Sequence, residues 1–298
     1  MDLKKPITLD DQVQRLIDHK MDIINTDDAK KILSEINYYR FTGYALQFRD
    51  NNNPDDYLPG TKFETVWCLH QFDTELRCIL KRYLDVIELY ARSQIAYGFS
   101  IAKCNTPPYD QHYDPANFFH TDSHDSIVVS SLDKEKENNK DSLFVIHHAS
   151  KYGDKMPLWV IVELMSFTNL SKFFSAMYFS EQDVIAKNIG STRLTLKNHL
   201  HCLANLRNKV AHAGRLYNII INPPVMLGRK YLQRNPNVVP NTLFAYLLAI
   251  IRRIPSKDDK SAFVTSIESI INQYSDCLDL SRMGFPSNYI TLLHNEVK

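Results

Sequence analysis

The sequence predicts an all-α fold. Glycine is scarce, at 8 in 298 residues. Apolar residues recur at three- and four-residue steps, and no run alternates apolar with polar as a half-buried strand does. Sandwiches and barrels need many glycine-bearing turns, so an all-β fold is disfavoured. Neither G-x-G-x-x-G nor G-x-x-x-x-G-K-[ST] occurs, which disfavours dinucleotide and P-loop folds. A hydrophobic fraction of 44% with 23% charged residues is that of a globular chain.

Taken in order, residues 9–19 (LDDQVQRLIDH) read as an amphipathic helix with acids in its first turn. Thr26 is placed to cap a second helix over DDAKKILSEINYYR. Residues 50–60 (DNNNPDDYLPG) carry dense turn signals. The longest periodic stretch follows: Phe63, Val66, Trp67, Phe72, Leu76, Ile79, Leu80, Tyr83, Val86, Ile87 and Tyr90. With no proline before Pro107, this predicts one long helix or two nearly continuous ones. Residues 103–140 read as irregular, with a Ser/Asp stretch and then DKEKENNKD as a solvated loop or charged helix end. Pro157 and the residues after it, to Phe179, predict a single helix with proline in its first turn. Ser191 is placed to cap a helix ended by Gly214, and Asn222-Pro223-Pro224 breaks structure. Helical segments near 241–254 and 258–280 complete a bundle with a tail.

The N-terminus shows no apolar leader, and Leu243–Ile251, the longest clean apolar run, is far short of a membrane span. The five cysteines, Cys68, Cys78, Cys104, Cys202 and Cys277, are odd in number, widely spaced and free of C-x-x-C. That pattern argues against disulfides or structural zinc. The expectation is a cytoplasmic protein with no membrane, metal or cofactor.

The net charge of +1 hides an asymmetry. The 74 residues from Val184 to Lys257 hold no acid and twelve Lys or Arg, leaving −11 on the remainder. Such a split points to a polyanion partner, or to pairing with acids from elsewhere in the fold.

Inside that window lies Arg207-Asn208-Lys209-Val210-Ala211-His212, of the form R-N-x-x-x-H. Asn208 and His212 share a helix face, and Arg207 reaches round from one residue back. A guanidinium, an amide and an imidazole together suit cleavage of an RNA phosphodiester. The 2′-OH is a built-in nucleophile. Histidine can take its proton or protonate the 5′-oxygen, arginine can hold the phosphate, and asparagine can orient the ring or donate to phosphate. One histidine cannot readily act as both acid and base, so a symmetric dimer would serve better. By itself the spacing is common, and a structural helix-capping histidine beside a solvated arginine is the commoner explanation.

Longer blocks add to it. Arg207–Asn218 (RNKVAHAGRLYN) resembles the R-N-x-x-A-H-x-x-R-L-[YW]-N signature of the Abi family of bacterial abortive-infection proteins, the AbiD/AbiF type, within the HEPN superfamily. Ile36–Tyr44 (INYYRFTGY), Phe72–Arg77 (FDTELR), Ile87–Ala96 (IELYARSQIA), Pro157–Ser166 and Met283–Pro286 (MGFP) are similar, in order, to further blocks of that family. The resemblance implies a HEPN-type helical bundle with additional N- and C-terminal helical segments. Its divisions would be 1–60, 61–222 carrying the motif, and 223–298 packed on it. It also implies a metal-independent endoribonuclease of phage defence, a toxin acting as a homodimer on RNA, some relatives being restrained by a small RNA. Arg207 and His212 match the catalytic pair, and Asn208 the polar residue between them. Two departures stand out: Ala213-Gly214, where many relatives carry a second histidine, and Tyr289, where tryptophan is frequent. The first favours the alternative of a non-catalytic RNA-binding or scaffold protein that regulates a partner.

Glu88 and Arg92, four apart on the long helix, read either as a surface ion pair or as a polar pair supporting Arg207 and His212. Lys197, Lys209 and Arg215 are the candidate phosphate contacts. His147, His148, His199 and His201 read as surface or satisfied histidines rather than ligands. Tyr38, Tyr39 and Tyr44 can stack on bases but at helical spacing read first as core, as do Trp67 and Trp159.

Overall fold

The computed structural model describes residues 3, 5–119, 129–153 and 155–298. Part of the Ser/Asp stretch lies outside these. Every regular element among them is helical, and extended pairing is limited to three isolated bridges, Asp22 with Lys62, Arg49 with Tyr57 and Phe118 with Met177.

Helix α1 (Leu9–Asp18) opens on a capping box between Thr8 and Asp11 and buries Val13 and Leu16. The cap of α2 (Thr26–Ile36) is Asn25, whose side chain accepts from the Asp27 and Asp28 N–H groups. Thr26 is thus the first helical residue. Asn37, at φ 66°, caps α3 (Tyr38–Ala45). After the turn-rich loop comes α4 (Phe63–Lys103), 41 residues without a break and about 60 Å long at 1.5 Å per residue. Its apolar stripe, from Phe63 through Phe72, Leu80 and Ile87 to Phe99, is buried.

The charged DKEKEN stretch forms α5 (Ser130–Asn138), and α6 (Leu143–Tyr152) follows. The single helix expected after Pro157 is two. Pro157 caps α7 (Leu158–Ile161), a 3-10 turn covers Val162–Leu164, and Met165 is extended at φ −68°, ψ 132°. Ser166 then caps α8 (Phe167–Ala176). No glycine or proline marks that break, because tertiary contacts made by Met165 produce it. Next are α9 (Phe179–Asn188) and α10 (Arg193–Ala211). The cap of α10 is Thr192 and not Ser191. The short α11 (Arg229–Arg234) precedes α12 (Leu243–Arg253), α13 (Lys257–Gln273) and α14 (Tyr289–Asn295).

The spine is α4, which touches α3, α7, α8, α9, α10, α12 and α13. Residues Leu243–Ile251 of α12 are no more than 1% exposed. A helix apolar all round must be buried on every side, and each such aliphatic contributes about 1.5–3 kcal/mol. Among the described residues no helix is long and apolar enough to cross a membrane.

Three expectations are corrected. Cys68 on α4 and Cys277 beyond α13 form a disulfide, with Cα atoms 6.3 Å apart, which ties the C-terminal segment to the spine. The two lie 209 residues apart in sequence, so spacing could not reveal the bridge. Trp159 is 64% exposed and Tyr39 87% exposed, so neither is core. Tyr44 is buried, and half-buried Trp67 stacks on His70 with ring centroids 5.0 Å apart.

The acid-free window is only partly neutralised by folding. Arg193, Arg207 and Arg252 pair with Asp183, Glu88 and Glu296. Lys187, Lys197, Lys209, Arg229, Lys230, Arg234 and Lys257 are exposed.

Candidate functional site

The site is built at the C-terminal end of α10, which lies against α8, α4 and α9. Arg207 and Asn208 occupy its last turns and His212 is its cap. The Ala213 N–H donates to the Val210 carbonyl at 3.1 Å and the Gly214 N–H to the Lys209 carbonyl at 2.7 Å. This is a Schellman end. Its left-handed residue is Ala213, at φ 53°, rather than the expected glycine. Gly214 is needed for another reason: a Cβ there would lie 2.6 Å from Lys209 Cγ and 3.0 Å from the Lys209 carbonyl oxygen.

Before His212, Glu88 and Arg92 hold the helix. Arg92 Nη2 donates to Glu88 Oε1 at 2.7 Å and to the Met165 carbonyl at 2.8 Å, and Nη1 reaches Glu163 at 3.4 Å. The second Glu88 oxygen lies 3.4 Å from Arg207 Nε. Glu88 is buried, so the pair is not an exposed one, and it faces Arg207. Burial raises the Glu88 carboxyl above its usual range, opposed by the Arg207 and Arg92 cations. The break between α7 and α8 serves this cluster, because an extended Met165 turns its carbonyl towards Arg92. Asn208 Nδ2 donates to Thr168 Oγ1 on α8 at 3.1 Å, which ties the amide to α8. The Arg207 side chain remains 35% exposed. The His212 ring is exposed and makes no hydrogen bond among the described residues.

After His212, the chain is held by a buried carboxylate. Asp73 accepts from Tyr44 Oη at 2.7 Å, Arg77 Nη1 at 2.7 Å, the Leu216 N–H at 3.1 Å and the Tyr217 N–H at 2.9 Å. Burial pushes its carboxyl up, and these four donors oppose that shift. Arg40 Nη2 donates to the Ala213 carbonyl at 2.5 Å, and Arg40 Nε donates to His70 Nε2 at 3.3 Å. Burial, then Arg40 and Arg77, push His70 down to about 4, so its ring is a neutral acceptor. Arg215 donates to the Gly43 carbonyl and lies 5.9 Å from the Tyr44 ring centroid.

Of the candidate phosphate contacts, Lys209 and Lys197 are exposed and Arg215 is half-buried against α3. Lys197 stands ten residues before Arg207, about 15 Å along the axis. His199 is buried, and its Nε2 donates to the Met226 carbonyl at 2.8 Å. Among the described residues no three His, Cys, Asp or Glu are grouped to hold a metal. Sequence reasoning missed Asp73, Arg77 and Arg40 as supports. The signal available was their place within the blocks Phe72–Arg77 and Ile36–Tyr44.

The sequence model of the family described as Abi-like protein matches residues 31–218. The chain belongs to the Abi-like protein family. The match runs from α2 to the loop that Asp73 holds, so both networks around His212 lie within it. The Abi-like blocks are far apart in sequence and meet here. Tyr44, Asp73 and Arg77 fix one side of the α10 end, and Glu88, Arg92, Glu163 and Met165 the other. The MGFP segment and Tyr289 lie beyond the matched residues. No curated protein and no solved structure matches the chain.

Proposed function

We propose that this Abi-like protein is a metal-independent endoribonuclease of phage defence. One observation carries the reading: Arg207 and His212 reach solvent at a helix end held from either side by polar networks centred on the buried carboxylates of Glu88 and Asp73. A merely solvated Arg and His need no such support. In the reaction, His212 takes the proton of a ribose 2′-OH and the 2′-oxygen attacks phosphorus. Arg207 holds a phosphate oxygen as negative charge builds on it. The P–O5′ bond breaks, and a second imidazole, supplied by His212 of another copy in a homodimer, protonates the leaving oxygen. The products are a 2′,3′-cyclic phosphate and a 5′-OH.

A second reading is a non-catalytic RNA-binding or scaffold protein. It is favoured by the commitment of Arg207 to Glu88 and of Asn208 to Thr168, and by Ala213-Gly214 where many relatives carry a histidine. Expression in bacteria separates the two. The ribonuclease reading expects arrested growth and degraded RNA with the wild-type chain, and neither with His212→Ala at equal protein level. Equal effects of both chains would favour the second reading.

A further inference from the structure

Two clefts flank Tyr39 at the start of α3, and both are lined by Tyr39 and Thr42. The outer one, of about 460 Å³, has Lys5, Arg15 and Arg49 in its wall with a single carboxylate, Asp55. The inner one, of about 390 Å³, has Arg40 and Arg215 and no carboxylate. Between them Tyr39 is 87% exposed, the most exposed aromatic residue among the described residues. The inner wall ends at the candidate site, because Arg40 holds the carbonyl of Ala213, the residue after His212. Among the described residues Arg40 spends Nε and Nη2 on protein partners and Arg215 spends Nη1, and the other guanidinium nitrogens of both can serve a ligand.

We propose that these clefts form a track for single-stranded RNA, with Tyr39 as the platform on which an unpaired base stacks, leading the strand to His212. An exposed aromatic face set among cations binds a base and its phosphates at once, and stacking requires a base freed from pairing. Each cleft, at about 460 and 390 Å³, has room for about one nucleotide. Among the described residues the walls hold one carboxylate, Asp55, so a phosphate backbone meets little repulsion there. The occupant is the strand to be cut, so the proposal rests on the ribonuclease reading.

The test uses the full chain carrying His212→Ala, which keeps RNA intact, and a fluorescent single-stranded RNA of about twelve nucleotides. Adding Tyr39→Ala is expected to weaken binding about tenfold, while Tyr39→Phe stays within about twofold because the ring face remains. Arg15→Gln is expected to weaken binding and flatten its salt dependence. On the otherwise wild-type chain, Tyr39→Ala is expected to raise KM for cleavage with kcat little changed. Binding indifferent to Tyr39→Ala, or duplex RNA bound as tightly as the single strand, overturns the track. Cleavage whose KM ignores Tyr39 overturns it too, and leaves the ribonuclease reading standing. Binding through Tyr39 without cleavage by the wild-type chain does the reverse, and no RNA binding at all sinks both.

Discussion

Replacing Asp73 is the perturbation that bears most on how the site is held. Its carboxylate is fully buried and receives four donors, two of them backbone N–H groups of Leu216 and Tyr217. Asp73→Asn keeps the shape but offers one acceptor oxygen, and turns an NH₂ group towards donors. Arg77 is nearly buried, at 9% side-chain exposure, and loses its counter-charge while keeping Thr74 Oγ1 at 2.8 Å. Stranding one member of a buried ion pair costs about 3–5 kcal/mol, and an unpaired buried N–H about 1–3 kcal/mol. The two overlap in one network, and Arg77 keeps a partner, so the expected loss is about 4 kcal/mol. That is a large part of the roughly 5–15 kcal/mol that holds a domain folded. Urea unfolding measures it as a lower midpoint at unchanged m. Hydrogen exchange adds a local readout, since the Leu216 and Tyr217 amides should lose protection. Tyr44→Phe, which deletes one hydroxyl, should cost only about 1 kcal/mol. A loss below about 1 kcal/mol for Asp73→Asn, with both amides still protected, would refute the clamp.

Ala213→Gly should stabilise the protein by about 0.5–1 kcal/mol, since relief of a left-handed alanine exceeds the entropy cost of glycine there; a lower urea midpoint would count against it. Acid should destabilise the fold well before carboxylates titrate. His199 is pushed down to about 3, by burial first and then by Arg253, and His70 to about 4. The unfolded chain takes up both protons near pH 6.5 and the folded one does not. Stability is therefore full above about pH 6.5 and falls as pH drops towards 4, by up to about 1.4 kcal/mol per unit for each histidine. A flat profile from pH 7 to 5 would contradict this. Arg253 is 6% exposed, with Nε and Nη1 lacking an acceptor among the described residues. Its replacement in Arg253→Met should raise stability by about 1–2 kcal/mol, and a loss of that size would be the wrong sign.

The long helix was legible because its apolar stripe repeats from Phe63 to Tyr90 with no proline before Pro107, and one face of a helix is all that α4 needs to bury. The R-N-x-x-x-H group was legible as a cluster on a helix end. Caps were misplaced by one residue at Asn25 and Thr192, since each has a cap-competent neighbour and backbone angles decide between them. The break at Met165 was not legible, because Arg92, 73 residues away in sequence, takes its carbonyl. Nor was Asp73: an acid four residues before an arginine reads as a surface pair, and only the return of Leu216 and Tyr217 makes it a buried hub. The Cys68–Cys277 bridge and the exposure of Trp159 and Tyr39 likewise depend on which helices meet, which periodicity does not encode.

The most direct measurement is cleavage of a defined RNA by the purified protein in EDTA, with the ends of the fragments identified. A metal-independent mechanism through His212 and Arg207 predicts 2′,3′-cyclic phosphate and 5′-OH ends, lost in His212→Ala and in Arg207→Ala while both variants stay folded by circular dichroism. Cleavage that stops on chelation, or that survives both substitutions, would contradict it.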